Sequence, residues 1–253
     1  MDQRSDNLGK PAVVLIHGSA DSPASWRALI PLLEAAWSVD APAFPPYPEP
    51  PGSVGPALGH APPWLDAQME RSGARVLVAH SYGALLALRW ALAHPGRLDK
   101  LVLCEPIAWG VAVADPQVAA RLGELDARCV QRFVAGERET PMRWLVDFWN
   151  GEGFWDALPE RIRVGLLAGA ARTCAEVASG GADRTDAAEL AGLSVATTLI
   201  AGARTPPESL QVSRAIVAAV PGARFVELPD VGHQFLRSHA QALAAAIGAP
   251  AAD

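Results

Sequence analysis

Cysteine is scarce. The chain has three in 253 residues (Cys104, Cys129 and Cys174), far apart and odd in number. That pattern supplies neither a disulfide framework nor a metal-ligand spacing, so the expectation is a reducing, cytoplasmic setting with no metal and no cofactor. Runs of lysine or arginine are missing as well. With a formal net charge of -6 and a pI near 5.5, nucleic acid and anionic membrane surfaces are poor partners. The opening MDQRSDNLGK has no apolar run, so no secretory leader is expected there. The most apolar helical stretch follows Ser81; it contains Arg89 and is too short to span a bilayer.

Apolar residues are plentiful, at 50 % of the chain, enough for a sizeable core in one α/β unit. Short β-branched runs at 12–16, 37–41, 75–79, 100–104, 197–201 and 223–228 read as strands. Their near-continuous apolar character suits a parallel sheet covered on both faces. Helical patterns lie between them: 22–36 after Ser22-Pro23, 83–94 up to Pro95-Gly96, 207–220 up to Pro221-Gly222, and 239–247. The alternation predicts a doubly wound α/β fold, a mostly parallel sheet of about six strands with helices on both faces.

Two segments interrupt it. Residues 42–63 hold nine of the 22 prolines and read as a stiff, irregular excursion. Residues 106–193 contain no convincing strand and read as a helical insertion dividing the core into 1–105 and 194–253. Its predicted helices cover 115–137 with Asp115 as cap, 140–150 with Thr140 as cap, and 158–178. Trp109, Trp144, Trp149 and Trp155 lie in this insertion beside Phe148 and Phe154.

In RVLVAHSYGALLALRWALAHP, residues 75–95, a strand runs directly into a helix through His80-Ser81-Tyr82-Gly83. Such a corner strains its central residue, needs small neighbours (Ala79 and Gly83), and lifts the serine hydroxyl to the carboxyl edge of the sheet. Elsewhere, VVLIHGSADSPASW ends a strand in His17-Gly18, and VELPDVGHQFL puts Gly232-His233 on a loop after the last strand.

Together these segments resemble the α/β-hydrolase family over roughly residues 11–248, with Ala79 replacing the first glycine of G-x-S-x-G. The resemblance implies Ser81 as nucleophile, His233 as general base, and the Ser19 and Tyr82 amides as oxyanion donors. It also implies a helical lid over residues 106–193, with Trp144, Phe148, Trp149 and Trp155 as candidates to line an apolar pocket. His17, His60, His80, His94 and His239 are read as structural or ordinary surface residues. Because the opening strand already leads to His17-Gly18, the resemblance implies a sheet without the family's first two strands.

The family's usual acid would fall near Thr205, where this sequence has no aspartate. Glu105, directly after the strand at 100–104, occupies a position from which some members take their acid. Glu208 and Asp230 are the alternatives. The implied activity is hydrolysis of a small to medium apolar carboxylic ester through an acyl-enzyme. Carbon–carbon, amide and perhydrolytic chemistry can use the same residues, and a catalytically weak ligand-binding protein is the rival from another class. A small molecule is the expected partner, and no residue pattern selects monomer or homodimer.

Overall fold

A computed structural model describes residues 9–45 and 61–250. Six strands form one parallel sheet: β1 (Ala12–Ile16), β2 (Ser38–Asp40), β3 (Val76–His80), β4 (Lys100–Cys104), β5 (Ala196–Gly202) and β6 (Arg224–Leu228), in the order β2-β1-β3-β4-β5-β6. Side chains alternate between two cores, as the period of two requires. Val14, Ile16, Leu77, Ala79, Leu101 and Leu103 face one, and Val13, Leu15, Val76, Val78, Val102 and Ile200 face the other. Covering both faces is what makes the strands read as unbroken apolar runs.

Twelve α-helices are described. Three precede β4: α1 (Ile30–Leu33), α2 (Ala61–Ser72) and α3 (Tyr82–Ala93). Between β4 and β5 come α4 (Pro116–Leu125), α5 (Gln131–Val134), α6 (Glu139–Asn150), α7 (Phe154–Ala157), α8 (Glu160–Ala168), α9 (Ala170–Ala182) and α10 (Ala187–Ala191). The last two are α11 (Pro207–Ala219) and α12 (Ala240–Ile247). Helix α3 is buried almost all round; its one charge, Arg89, escapes to Glu189 and Thr185. None of the described helices is long and apolar enough to cross a membrane.

The strand positions follow the sequence reading, whereas several helices do not. The continuous helix expected over 22–36 is a 3₁₀ turn, Pro23–Trp26, and the short α1. Pro31 lacks an N–H and crowds the preceding turn, so a helix can only begin beside it. Asp115 caps α4, accepting from Gln117 N at 2.8 Å, but the helix expected over 115–137 is interrupted by a π turn, Asp126–Val130. Thr140 is not a cap, because α6 starts one residue earlier with Glu139 in its first turn, where a carboxylate suits the helix dipole. The helix expected over 158–178 breaks at Gly169 into α8 and α9. Helix α2 had no clear sequence signal. Of the stretch expected to be irregular over 42–63, residues 46–60 lie outside the described residues, and 61–63 instead open α2, where a proline's missing N–H is tolerated. Cys129 and Cys174, remote in sequence, meet inside the helical insertion with their thiols 3.5 Å apart.

The chain goes from β1 to one side for β2 and then to the other for β3. In open α/β sheets the crevice beyond the carboxyl ends at such a reversal is where ligands bind. His17-Gly18-Ser19 leaves β1 there, and Ser81 leaves β3 beside it.

Candidate active site

Ser81 sits between β3 and α3 with φ 56° and ψ −120°, a left-handed backbone that an L-residue adopts only when its surroundings force it. The force comes from close packing of strand against helix. A Cβ on Gly83 would overlap the His17 carbonyl oxygen and lie 2.9 Å from Ile16 O. One on Gly18 would come within 2.9 Å of both Ser81 Cβ and His80 Nδ1. Ser81 N–H donates to Cys104 O at 2.8 Å, tying the corner to the end of β4.

His233 lies on the loop between β6 and α12. The loop packs so tightly on the end of β5 that only glycine fits at 202: an added Cβ would be 2.7 Å from Gly232 O and overlap Val231 O. The imidazole is buried, with Nε2 3.1 Å from Ser81 Oγ and Nδ1 2.5 Å from Glu105 Oε2. Its backbone carbonyl accepts from His80 Nε2 at 3.0 Å. The His80 ring packs against the His233 ring at 4.6 Å and makes no hydrogen bond to Ser81. Burial, then the neighbouring His233, holds the His80 imidazole well below its ordinary range, so it is neutral. His17, also buried, hydrogen-bonds Gly18 O and packs on Phe44, and burial lowers its imidazole too.

Glu105 is fully buried and also has positive φ, 45°. Its N–H donates to Ile200 O at 3.0 Å, which anchors the turn out of β4 against β5. Its carboxylate meets three donors: Gly202 N–H at 2.8 Å on Oε1, and Thr205 Oγ1 at 2.6 Å together with His233 Nδ1 on Oε2. A buried carboxylate requires such partners. Of the three candidate acids, the structure brings only Glu105 to His233. Glu208 pairs with Arg121 at 3.1 Å, and Asp230 is an exposed residue at φ 59° paired with Arg204. Thr205, where the sequence lacks the expected aspartate, is a hydroxyl donor to the Glu105 carboxylate. Sequence reading noted that slot but not this role.

Ser19 and Ser81 line the same cavity, and Ser19 Oγ is buried without a hydrogen-bond partner among the described residues. Tyr82 opens α3, at the end where amide N–H groups point outward. The cavity has a volume of about 320 Å³. Ser19, Ser25, His80, Ser81 and His233 are among its polar lining, together with Asp21, Asn150, Thr173, Gln234 and Arg237. The segment between β4 and β5 contributes apolar lining as well, including Ile107, Leu145, Val146, Trp149, Phe154 and Leu166.

Among the four aromatic residues expected to line a pocket, only Trp149 does so. Its ring stacks on His233 with centroids 3.9 Å apart and planes 21° apart. Phe148, stacked on Trp144, faces a separate, open depression that Trp149 and His233 also border. Trp144 borders neither space, and Trp155 is fully buried in the core. Helical periodicity explains the division, because residues one and five positions before Trp149 point to another side of α6. Phe154, one residue before Trp155, faces the cavity instead.

The profile of the Alpha/beta hydrolase family matches residues 13–246. A pimeloyl-[acyl-carrier protein] methyl ester esterase from Aromatoleum aromaticum is 29% identical over 240 residues, spanning 92% of this chain and 94% of that protein. Among solved structures, a 2-hydroxy-6-oxo-6-phenylhexa-2,4-dienoate hydrolase from Rhodococcus sp. superposes with a TM-score of 0.67 at 25% identity, covering 92% of this chain and 88% of that one. An enol-lactonase from Burkholderia xenovorans shares the fold, with a TM-score of 0.65 at 18% identity and coverage of 93% and 88%. The six-stranded parallel sheet thus has its counterpart in one group of enzymes: the chain belongs to the α/β-hydrolase family and is a hydrolase.

Proposed function

We propose that the protein cleaves carboxylic esters with a small to medium apolar acyl group, through an acyl-enzyme on Ser81. The observation that carries this reading is the unbroken hydrogen-bonded chain Ser81–His233–Glu105, whose Ser81 and His233 line a cavity walled in large part by apolar side chains. The cavity's 320 Å³ is at the lower end of the range of small-molecule sites, about 300–1,000 Å³. The ester chemistry in the name of the Aromatoleum relative supports the same class.

In this mechanism His233 Nε2 takes the Ser81 proton as Oγ attacks the acyl carbon. Glu105 keeps the Nδ1–H tautomer in place and stabilises the imidazolium that forms. The amides of Ser19 and Tyr82 hold the oxyanion. His233 then protonates the departing alkoxide, and a water activated by the same imidazole hydrolyses the acyl-enzyme. Residues 106–193 act as the lid that supplies the acyl pocket.

The missing aspartate near Thr205 was the motive for a binding-only reading. Glu105 within hydrogen-bond distance of His233 weighs against it. The test is labelling with a small fluorophosphonate, read by intact mass, alongside turnover of p-nitrophenyl esters from acetate to dodecanoate. One adduct on the wild type, none on Ser81→Ala, and a rate optimum at medium chain length are expected. No adduct on the wild type after prolonged exposure would overturn the mechanism.

A further inference from the structure

The stacked contact between Trp149 and His233 joins two parts of the chain with different duties. Trp149 belongs to α6, inside the helical insertion, whereas His233 stands on the core's β6–α12 loop. At 3.9 Å between centroids and 21° between planes, the indole covers one face of the imidazole. His80 lies against the ring as well, at 4.6 Å, and clasps the His233 carbonyl. The ring edges are engaged by Ser81 and Glu105. His233 is therefore held on its edges and against both aromatic neighbours, and one of those supports comes from the insertion.

We propose that Trp149 is a positioning residue for the reaction, in addition to being a wall of the acyl cavity, so that the general base is complete only while α6 is seated over the sheet edge. This rests on the reading of His233 as the base. During catalysis the imidazole becomes a cation, and an aromatic face against it favours that form. The same stacking resists rotation of the ring about its side-chain bonds, which keeps Nε2 aimed at Ser81 Oγ in every turnover. A mere pocket wall would act on the acyl chain. A support for the base acts on every substrate, whatever its length.

That difference sets the test. Trp149→Ala and Trp149→Phe are compared with Val146→Ala, which alters the cavity one turn away on α6. The readouts are kcat and KM on p-nitrophenyl acetate and octanoate, and the rate of fluorophosphonate labelling. For Trp149→Ala, kcat should fall about tenfold on both esters, with labelling slowed in parallel, a size that matches loss of an aromatic face from a desolvated cation. Trp149→Phe should restore most of kcat on the acetate, because a smaller ring still covers the imidazole. Val146→Ala, a change to the cavity wall alone, should alter KM for the octanoate more than kcat on either ester, a split opposite to that of Trp149→Ala.

If Trp149→Ala turns over the acetate ester and labels at the wild-type rate, with only the octanoate KM altered, the positioning role is overturned. Circular dichroism and melting of each variant exclude loss of fold as the cause. Should the alanine variant not fold, Trp149→Leu takes its place, since it retains bulk and loses the aromatic face. Failure of the wild type to label at all would refute the serine mechanism itself, an outcome distinct from a Trp149 variant that matches the wild type.

Discussion

Replacing Glu105 with glutamine preserves the side chain's shape and removes its charge, and the geometry of the site dictates the outcome. Three donors converge on the carboxylate, two of them on Oε2. A glutamine can keep one carbonyl oxygen for Gly202 N–H, but its amide NH₂ then faces Thr205 Oγ1 and His233 Nδ1. The threonine hydroxyl can rotate to accept. The imidazole can accept only by moving its proton to Nε2, and that tautomer presents N–H to Ser81 Oγ and cannot take the serine proton. Loss of the correct tautomer should lower kcat on p-nitrophenyl butyrate, and the rate of fluorophosphonate labelling, by roughly 10³- to 10⁴-fold. The imperfectly matched buried amide should cost about 1–3 kcal/mol of stability. For a chain of this length that is a fall in Tm of about 2–4 °C for each kcal/mol. A second change sharpens the test. Thr205 Oγ1 is 2.6 Å from the oxygen that meets His233, so adding Thr205→Asp to Glu105→Gln brings a carboxylate back beside Nδ1 and should recover at least about tenfold of the lost rate, a coupling expected of neighbours. A Glu105→Gln enzyme within about tenfold of the wild type would refute the assignment of the acid, since a triad without its carboxylate does not retain that much rate.

The same packing has other consequences. Gly83→Ala puts a methyl group against the His17 and Ile16 carbonyls, and chemical denaturation should show a loss of about 3 kcal/mol together with loss of labelling at Ser81. His17 and His80 are buried with imidazoles held below their ordinary range, chiefly by desolvation. The unfolded chain therefore binds more protons as pH falls below about 6.5, and the stability contributed above that pH is lost toward pH 5 by at most about 1.4 kcal/mol per pH unit for each group. Urea midpoints measured across this window should fall less steeply for His80→Gln than for the wild type; an equal slope would contradict the buried neutral state. Leu166→Trp puts a bulkier side chain into the cavity wall, and it should raise KM for an octanoate ester more than it changes acetate turnover. Equal effects on both esters would show that the acyl chain lies elsewhere.

The strands, the corner at Ser81 and the Gly232-His233 loop were legible from the sequence because each depends on neighbours in the chain. The unbroken apolar run leading into VLVAH, a small residue on either side of His80-Ser81-Tyr82, and a glycine before a histidine are local signals. Helix ends were less legible. Pro31 and Gly169 outweighed apolar patterns that looked continuous. The aromatic residues of the insertion could not be sorted at all, because whether Trp149 or Trp155 meets the cavity depends on how α6 and α7 are turned against the core.

The identity of the acid belongs to the same second kind. In the sequence Glu105, Glu208 and Asp230 were all within reach of some expected loop, and nothing along the chain ranks them by distance to an imidazole. The pairing of β4 with β5 does so, placing the end of one strand beside Gly202 at the end of the other and Thr205 just beyond it, about a hundred residues later. Local periodicity and turn chemistry therefore settled where the strands lie and which serine stands at the sheet edge. Which carboxylate is buried against His233, and which indole covers it, were decided by packing between segments remote in the chain, because burial and hydrogen bonding act through space.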